Sequence, residues 1–124
     1  MIVVDASALI AHLDADDAQH QRAVERMMEL ADQPLGCSSI TLAEVFVGPA
    51  RAGRLEVAER VVRELGVTEI RPGESAAPRL AGIRAETGLK LPDCCVLLAA
   101  QDCGAQAVLT LDDRLGREAR RLGF

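Results

Sequence analysis

The chain has no tryptophan and no tyrosine, and its only aromatic residues are Phe46 and Phe124. Its core must therefore be aliphatic, built from Leu, Val, Ile and Ala, and any account in which bases stack on aromatic platforms is weak from the start. Cysteine is present but in no CxxC spacing. Cys37, Cys94, Cys95 and Cys103 all lie in apolar stretches, so they read as small buried hydrophobes rather than zinc ligands or a disulfide framework. No run approaches the roughly 20 apolar residues of a membrane span, and the opening Met1-Ile2-Val3-Val4-Asp5 does not read as the basic n-region of a signal peptide. The expectation is a cytoplasmic protein with no membrane association. Basic excess is missing too: 14 Lys and Arg against 19 Asp and Glu give a net charge of -5. That balance argues against a tight, sequence-blind nucleic-acid clamp.

What is present is strand–helix alternation over 124 residues, the usual length of one domain. Strands are expected at Ile2 to Val4, Gly36 to Ile40, Val67 to Arg71 and Ala107 to Thr110. Helices are expected at Ala6 to Leu13, at Asp17 to Asp32 with Val24, Met27, Met28 and Ala31 on one face, and from Leu42 to a stop near Gly48-Pro49. Four more are expected: Arg54 to Leu65, Ser75 (as cap) to Thr87, Pro92 to Cys103, and Asp113 to Leu122. The helix from Pro92 is apolar almost all round and reads as central and buried. Such alternation predicts an α/β fold, a parallel sheet with helices on both faces, in a single domain over residues 1–124.

Asp5, Glu44, Asp93 and Asp112 each sit where a strand-like or loop segment gives way to a helix. In an open parallel sheet the carboxyl ends of the strands share one edge, where ligands bind, so acids distant in sequence can converge. Gathered carboxylates without a fixed cation suit a hard divalent ion, magnesium or manganese. Each acid also has a structural explanation. Asp5, Asp112 and Asp113 can be N-caps, Thr41 and Glu44 have capping-box spacing, and Asp93 stands in a first helical turn that favours negative charge. Capping, however, asks only for acids at helix starts, not for acids after successive strands and on the most apolar helix. The leading expectation is a metal-dependent nuclease. A phosphatase or DNA nuclease using the same pocket, and a non-catalytic partner-binding domain, are the alternatives.

Four ordered segments carry a resemblance: Val3-Val4-Asp5-Ala6-Ser7-Ala8-Leu9, Ser39-Ile40-Thr41-Leu42-Ala43-Glu44-Val45, Leu91-Pro92-Asp93, and Leu109-Thr110-Leu111-Asp112-Asp113-Arg114-Leu115. Together they resemble the PIN-domain ribonucleases, most closely the VapC toxins of bacterial type II toxin–antitoxin systems. The resemblance implies a three-layer α/β/α sandwich around a parallel sheet of four to five strands. It also implies endonuclease action on RNA with magnesium or manganese, dimerisation, and inhibition by a small antitoxin. On this likeness Asp5, Glu44, Asp93 and Asp112 are the catalytic quartet. Asp5, Asp93 and Asp112 are metal ligands, Glu44 serves a second metal or the water, and Ser7 and Thr110 order the site. The antitoxin would lie along the helical pair Thr41 to Val47 and Arg54 to Leu65. One departure is that the chain ends at Leu122-Gly123-Phe124, where the family often continues into an edge strand, so that strand is expected to be short or missing.

Other features are discounted. Asp14-x-Asp16 with Glu25 has calcium-loop spacing, but Gln19 replaces the required glycine and Ala18 a ligand. His12 and His20 are expected at the surface. Arg51, Arg54, Lys90, Arg114, Arg117, Arg120 and Arg121 are candidate phosphate contacts. Lys90 is favoured because it lies three residues before Asp93.

Overall fold

The computed structural model describes all 124 residues. Strands β1 (Ile2–Val4), β2 (Leu35–Ser38), β3 (Val67–Ile70) and β4 (Ala107–Leu109) form one sheet in the order β3-β2-β1-β4, with every pairing parallel. Helices α1 (Ala6–Leu13), α2 (His20–Glu29), α3 (Ser39–Arg51) and α4 (Leu55–Glu64) come before β3, and α5 (Ala76–Thr87), α6 (Leu91–Cys103) and α7 (Asp113–Arg121) after it. The chain steps from β1 outward to β3, then crosses back to place β4 on the other side of β1. Reversing the direction of a crossover puts its helices on the opposite face.

Two separate cores record that geometry. On one face Ile2, Val4, Leu35, Cys37, Val67 and Leu109 pack against residues of α1 to α4, among them Leu9, Met27, Leu42 and Val62. On the other face Val3 meets Ile83 of α5, Val96, Leu97 and Ala100 of α6, and Leu115 and Ala119 of α7. Ile2 and Val4 point one way and Val3 the other, as a strand's two-residue period requires. Helix α6 lies buried from Val96 to Ala100, which explains why its sequence has no polar face. The fold is the α/β/α sandwich expected, with four strands.

Several expected boundaries shift for identifiable reasons. Strand β2 ends at Ser38 because that residue turns into the cap of α3, its Oγ accepting from Thr41 N at 3.0 Å. Thr41 is therefore inside the helix rather than capping it. Helix α3 runs through Gly48-Pro49 to Arg51. The proline removes one donor, but Ala52 N–H still reaches Gly48 O at 3.1 Å and Arg54 N–H reaches Pro49 O at 2.8 Å, so a further turn closes beyond it. Helix α2 is shorter than expected, because Asp17 accepts from Gln19 N at 2.8 Å in a local turn ahead of it. Its inward face is Ala23 and Met27; Met28 is 71% exposed and does not pack. Ser75 does not cap α5: it adopts a left-handed conformation (φ 61°) and its side chain bonds nothing at the helix start.

Candidate active site at the carboxyl edge of the sheet

The strand order reverses between β1 and β4, and in open α/β sheets that switch point is where a crevice opens beyond the carboxyl ends. Asp5 follows β1 there, and Thr110 and Asp112 follow β4. Asp5 is 5% exposed, yet its side chain makes no capping bond at the start of α1. Its Oδ2 instead accepts from the hydroxyls of Ser7 and Thr110, both at 2.8 Å. The two hydroxyls stand 3.3 Å apart, Ser7 Oγ also accepts from Leu111 N at 3.0 Å, and Thr110 Oγ1 accepts from Asp112 N at 3.0 Å. This network ties the β1–α1 turn to the segment leaving β4 across more than a hundred residues of sequence. It fixes one carboxylate orientation, since a buried anion is tolerated only when hydrogen-bonded or balanced by a cation.

The remaining acids face Asp5 from other elements. Asp93 stands in the first turn of α6 and is half-buried. Burial first, then the charges of Asp5 and Asp112, hold its carboxyl above the usual carboxylate range, while Lys90 and Arg114 pull it down. Glu44 projects from α3 into a cleft wall. Although the residue as a whole is exposed, partial burial of its carboxyl away from water leads the upward shift, followed by repulsion from Asp5 and Asp93. Asp112 has a structural duty, since its Oδ1 caps α7 by accepting from Leu115 N at 2.9 Å. Its capping explanation thus holds, and those for Asp5 and Glu44 do not. The quartet interacts through charge, but as the side chains stand no three of them close on one point tightly enough to hold an ion. In donor chemistry the set suits a hard divalent cation, because it is all carboxylate oxygen and mutually repelling. Enclosing one requires the exposed carboxyls to turn inward.

Neighbouring residues complete the setting. Lys90 is exposed at the position before α6, and Arg114 donates to Gly88 O at 3.2 Å, so each places its charge beside Asp93. Arg114 was one of many arginines by sequence alone; only its position just after the Asp112 cap distinguishes it. Cys37 is buried, donates to Val4 O at 2.9 Å, and is pushed up to about 12 by burial and by the Asp5 charge. It cannot serve as a nucleophile. The cysteines are all free, with Cys95 and Cys103 only partly buried. His20 is half-buried, its Nδ1 2.8 Å from Ala11 O, and His12 is half-buried with an unpartnered Nδ1, so neither is simply a surface residue. Burial, then His20, lowers the His12 pKa.

The PIN domain profile matches residues 2–120. The chain belongs to the PIN-domain family. No curated protein shows significant sequence similarity to it. Among solved structures the PIN fold recurs in Mycobacterium tuberculosis VapC20, a sarcin-ricin-loop-cleaving toxin, at TM-score 0.77 and 18% identity over 95% of each chain. A toxin–antitoxin complex from Klebsiella pneumoniae aligns at TM-score 0.69 and 23% identity, covering 89% of this chain and 97% of the other. VapBC2 from Rickettsia felis, bound to promoter DNA, aligns at 0.70 and 16%, covering 94% and 92%. At such identities the likeness is one of fold. No helix of this PIN domain is long and apolar enough to cross a membrane.

Proposed function

We propose that this PIN domain is a magnesium- or manganese-dependent endoribonuclease acting as the toxin of a toxin–antitoxin pair. The observation that carries the reading is the hydroxyl-clamped Asp5 at the switch point, its charge acting on both Glu44 and Asp93, with Asp112 close enough to act on Asp93 as well. Carboxylates that raise one another's pKa at the switch point of an open sheet are the arrangement expected of a functional site. Family membership and the fold shared with toxins support the same reading.

In this reading Asp5, Asp93 and Asp112 would hold the cation, and Glu44 would hold a second one or orient the attacking water. A bound divalent ion supplies Lewis acidity for the phosphodiester and lowers the pKa of water at the site. Ser7 and Thr110 keep Asp5 aimed, sparing its reorganisation during the reaction. Lys90 and Arg114 would receive non-bridging phosphate oxygens beside Asp93. Water rather than the ribose 2′-hydroxyl is the nucleophile, so products carry a 5′-phosphate and a 3′-hydroxyl. The protein would act in the cytoplasm.

The antitoxin would sit on the face formed by α1, α3 and α4. Two adjoining clefts of about 310 and 280 Å³ share Leu13 and Pro49; Val57 and Val61 line the first, and Ile10 and Glu44 the second. Ile10 (40%) and Val57 (38%) are exposed there. An amphipathic segment fits such a groove, with a basic side chain reaching Glu44. A homodimer belongs to the same proposal.

The test is cleavage of RNA and of DNA of matched sequence with magnesium, with manganese and with chelator, by wild type and Asp93→Asn. Metal-dependent RNA cleavage lost in the variant and inhibited by the product of an adjacent small gene is the expected result. Preference for DNA would move the assignment to a DNA nuclease. Undiminished cleavage by Asp93→Asn would refute the site.

A further inference from the structure

A second polar cleft lies on the open side of β4, away from the antitoxin groove. Strand β4 pairs only with β1, so its outer edge is free. The cleft, about 140 Å³, has the segment from Val108 to Asp113 as its floor. Its walls come from opposite layers of the sandwich: Arg22 and Arg26 from α2 on one side, Arg120 from α7 on the other. Arg22 and Arg26 are four residues apart, one helical turn, and so reach over the same edge.

None of these guanidinium groups is committed elsewhere by a strong partner. Arg22 donates to the neutral Gln19 Oε1 at 3.3 Å. Arg26 pairs with Glu29 at 3.4 Å, with 57% and 63% of the two side chains exposed, an arrangement that contributes little and exchanges readily. Arg120 passes 3.4 Å from where a Cβ on Gly116 would sit, so the absence of a side chain there lets it lie down into the cleft. The acids lining the cleft are Asp112 and Asp113, both at the end that meets the acidic edge. The charge along this trough therefore changes from basic to acidic towards Asp112.

Resting on the ribonuclease reading, we propose that Arg22, Arg26 and Arg120 form a backbone subsite, binding RNA phosphates next to the scissile one and leading the strand past Asp112 to Asp5 and Asp93. Phosphodiester oxygens suit three forked, permanently charged donors in a polar, solvent-open trough. An acidic extended peptide adding to the β4 edge is the competing occupant. It is less favoured, because the cleft opens onto a carboxylate cluster that an acidic chain would have to approach without a cation.

The experiment measures binding of a single-stranded RNA oligonucleotide in chelator, against salt, for wild type, Arg22→Ala/Arg26→Ala/Arg120→Ala, Arg120→Lys, and the control Arg63→Ala. Arg63 stands at the end of α4 that leads into β3, at the opposite edge of the sheet. Each lost phosphate contact should flatten the slope of log K against log salt by about 0.7, or roughly fivefold in affinity at 0.1 M salt. The triple variant should lose at least two such contacts, Arg120→Lys should retain most of the slope, and Arg63→Ala should match wild type. Unchanged melting temperatures for the exposed substitutions separate these effects from misfolding. A triple variant with wild-type affinity and slope overturns the subsite while leaving the ribonuclease reading intact. Wild type that neither binds nor cuts RNA overturns both. Tighter capture of an acidic peptide than of RNA, abolished in the triple variant, assigns the cleft to a protein instead.

Discussion

The two sides of the acidic edge are built differently. On the β1–β4 side, Asp5 is buried and held by two hydroxyls that are themselves fixed to backbone amides of the opposite segment. On the α3–α6 side, Asp93 and Glu44 are more open, governed by partial burial and repulsion rather than by hydrogen bonds, and their carboxyls are shifted upward. The first is pre-organised by hydrogen bonds; the second has none to fix its carboxyls. A metal site assembled from one fixed ligand and several adjustable ones can place an ion accurately and still let substrate in.

The largest break in that comparison comes from removing charge on either side. Asp5→Asn and Asp93→Asn should each lower RNA cleavage by about 10³-fold or more, near 4 kcal/mol of transition-state stabilisation. Single-turnover rates with saturating magnesium check this, and equal losses on both sides would show that both carboxylates belong to one site. Next in size, Ser7→Ala and Thr110→Val should reduce metal affinity or activity by roughly 10- to 100-fold through Asp5 orientation alone. Titration calorimetry with manganese reads it directly, and wild-type affinity in both variants would remove the clamp from the account.

A stability difference of opposite sign should accompany these losses. Without metal, Ser7→Ala should destabilise by about 1–3 kcal/mol, because a buried carboxylate loses a charge-assisted partner. Asp93→Asn should instead be neutral or stabilising, since it relieves repulsion. Urea unfolding in chelator compares the two; a destabilised Asp93→Asn would mean that Asp93 has a structural partner.

A smaller effect is the pH response. The raised carboxyls of Asp93 and Glu44 mean that the folded protein binds their protons more tightly than the unfolded chain does. Stability without metal should therefore fall as pH rises through the window just above the ordinary carboxylate range, and return on acidification. Saturating magnesium should invert the slope, because the cation favours the ionised forms. Denaturation midpoints between about pH 4 and 7, with and without the ion, measure both signs.

Much of this was legible in the sequence, and the exceptions are instructive. Strand–helix alternation places the sheet, and the featureless apolarity of Leu91–Cys103 marks it as the buried helix. Asp5, Asp93 and Asp112 do follow a strand or open a helix, whereas Glu44, expected near a helix start, lies in the second turn of α3. Register near caps was less legible. Thr41 and Glu44 have capping-box spacing, but β2 ends before the expected Ile40 and Ser38 takes the cap instead. Pro49 reads as a stop by local preference, whereas the bonds from Ala52 N–H to Gly48 O and from Arg54 N–H to Pro49 O close a further turn beyond it. The division of labour among the acids was hidden, because hydrogen bonding from Thr110 to Asp5 spans 105 residues. The arginine trough was hidden for the same reason, since α2 and α7 meet only across the β4 edge.

The most direct test of the central claim, that these four carboxylates form one divalent-cation site, is the melting temperature with and without magnesium or manganese. The protein is compared with Asp93→Asn and with the Asp5→Asn/Asp93→Asn double variant. Binding to the native state at a hundredfold excess over Kd stabilises by about 2.7 kcal/mol, roughly 10 °C at this chain length. Wild type should show that rise, Asp93→Asn a reduced one, and the double variant none. An equal rise in wild type and the double variant would contradict the account, because the ion would then be bound elsewhere.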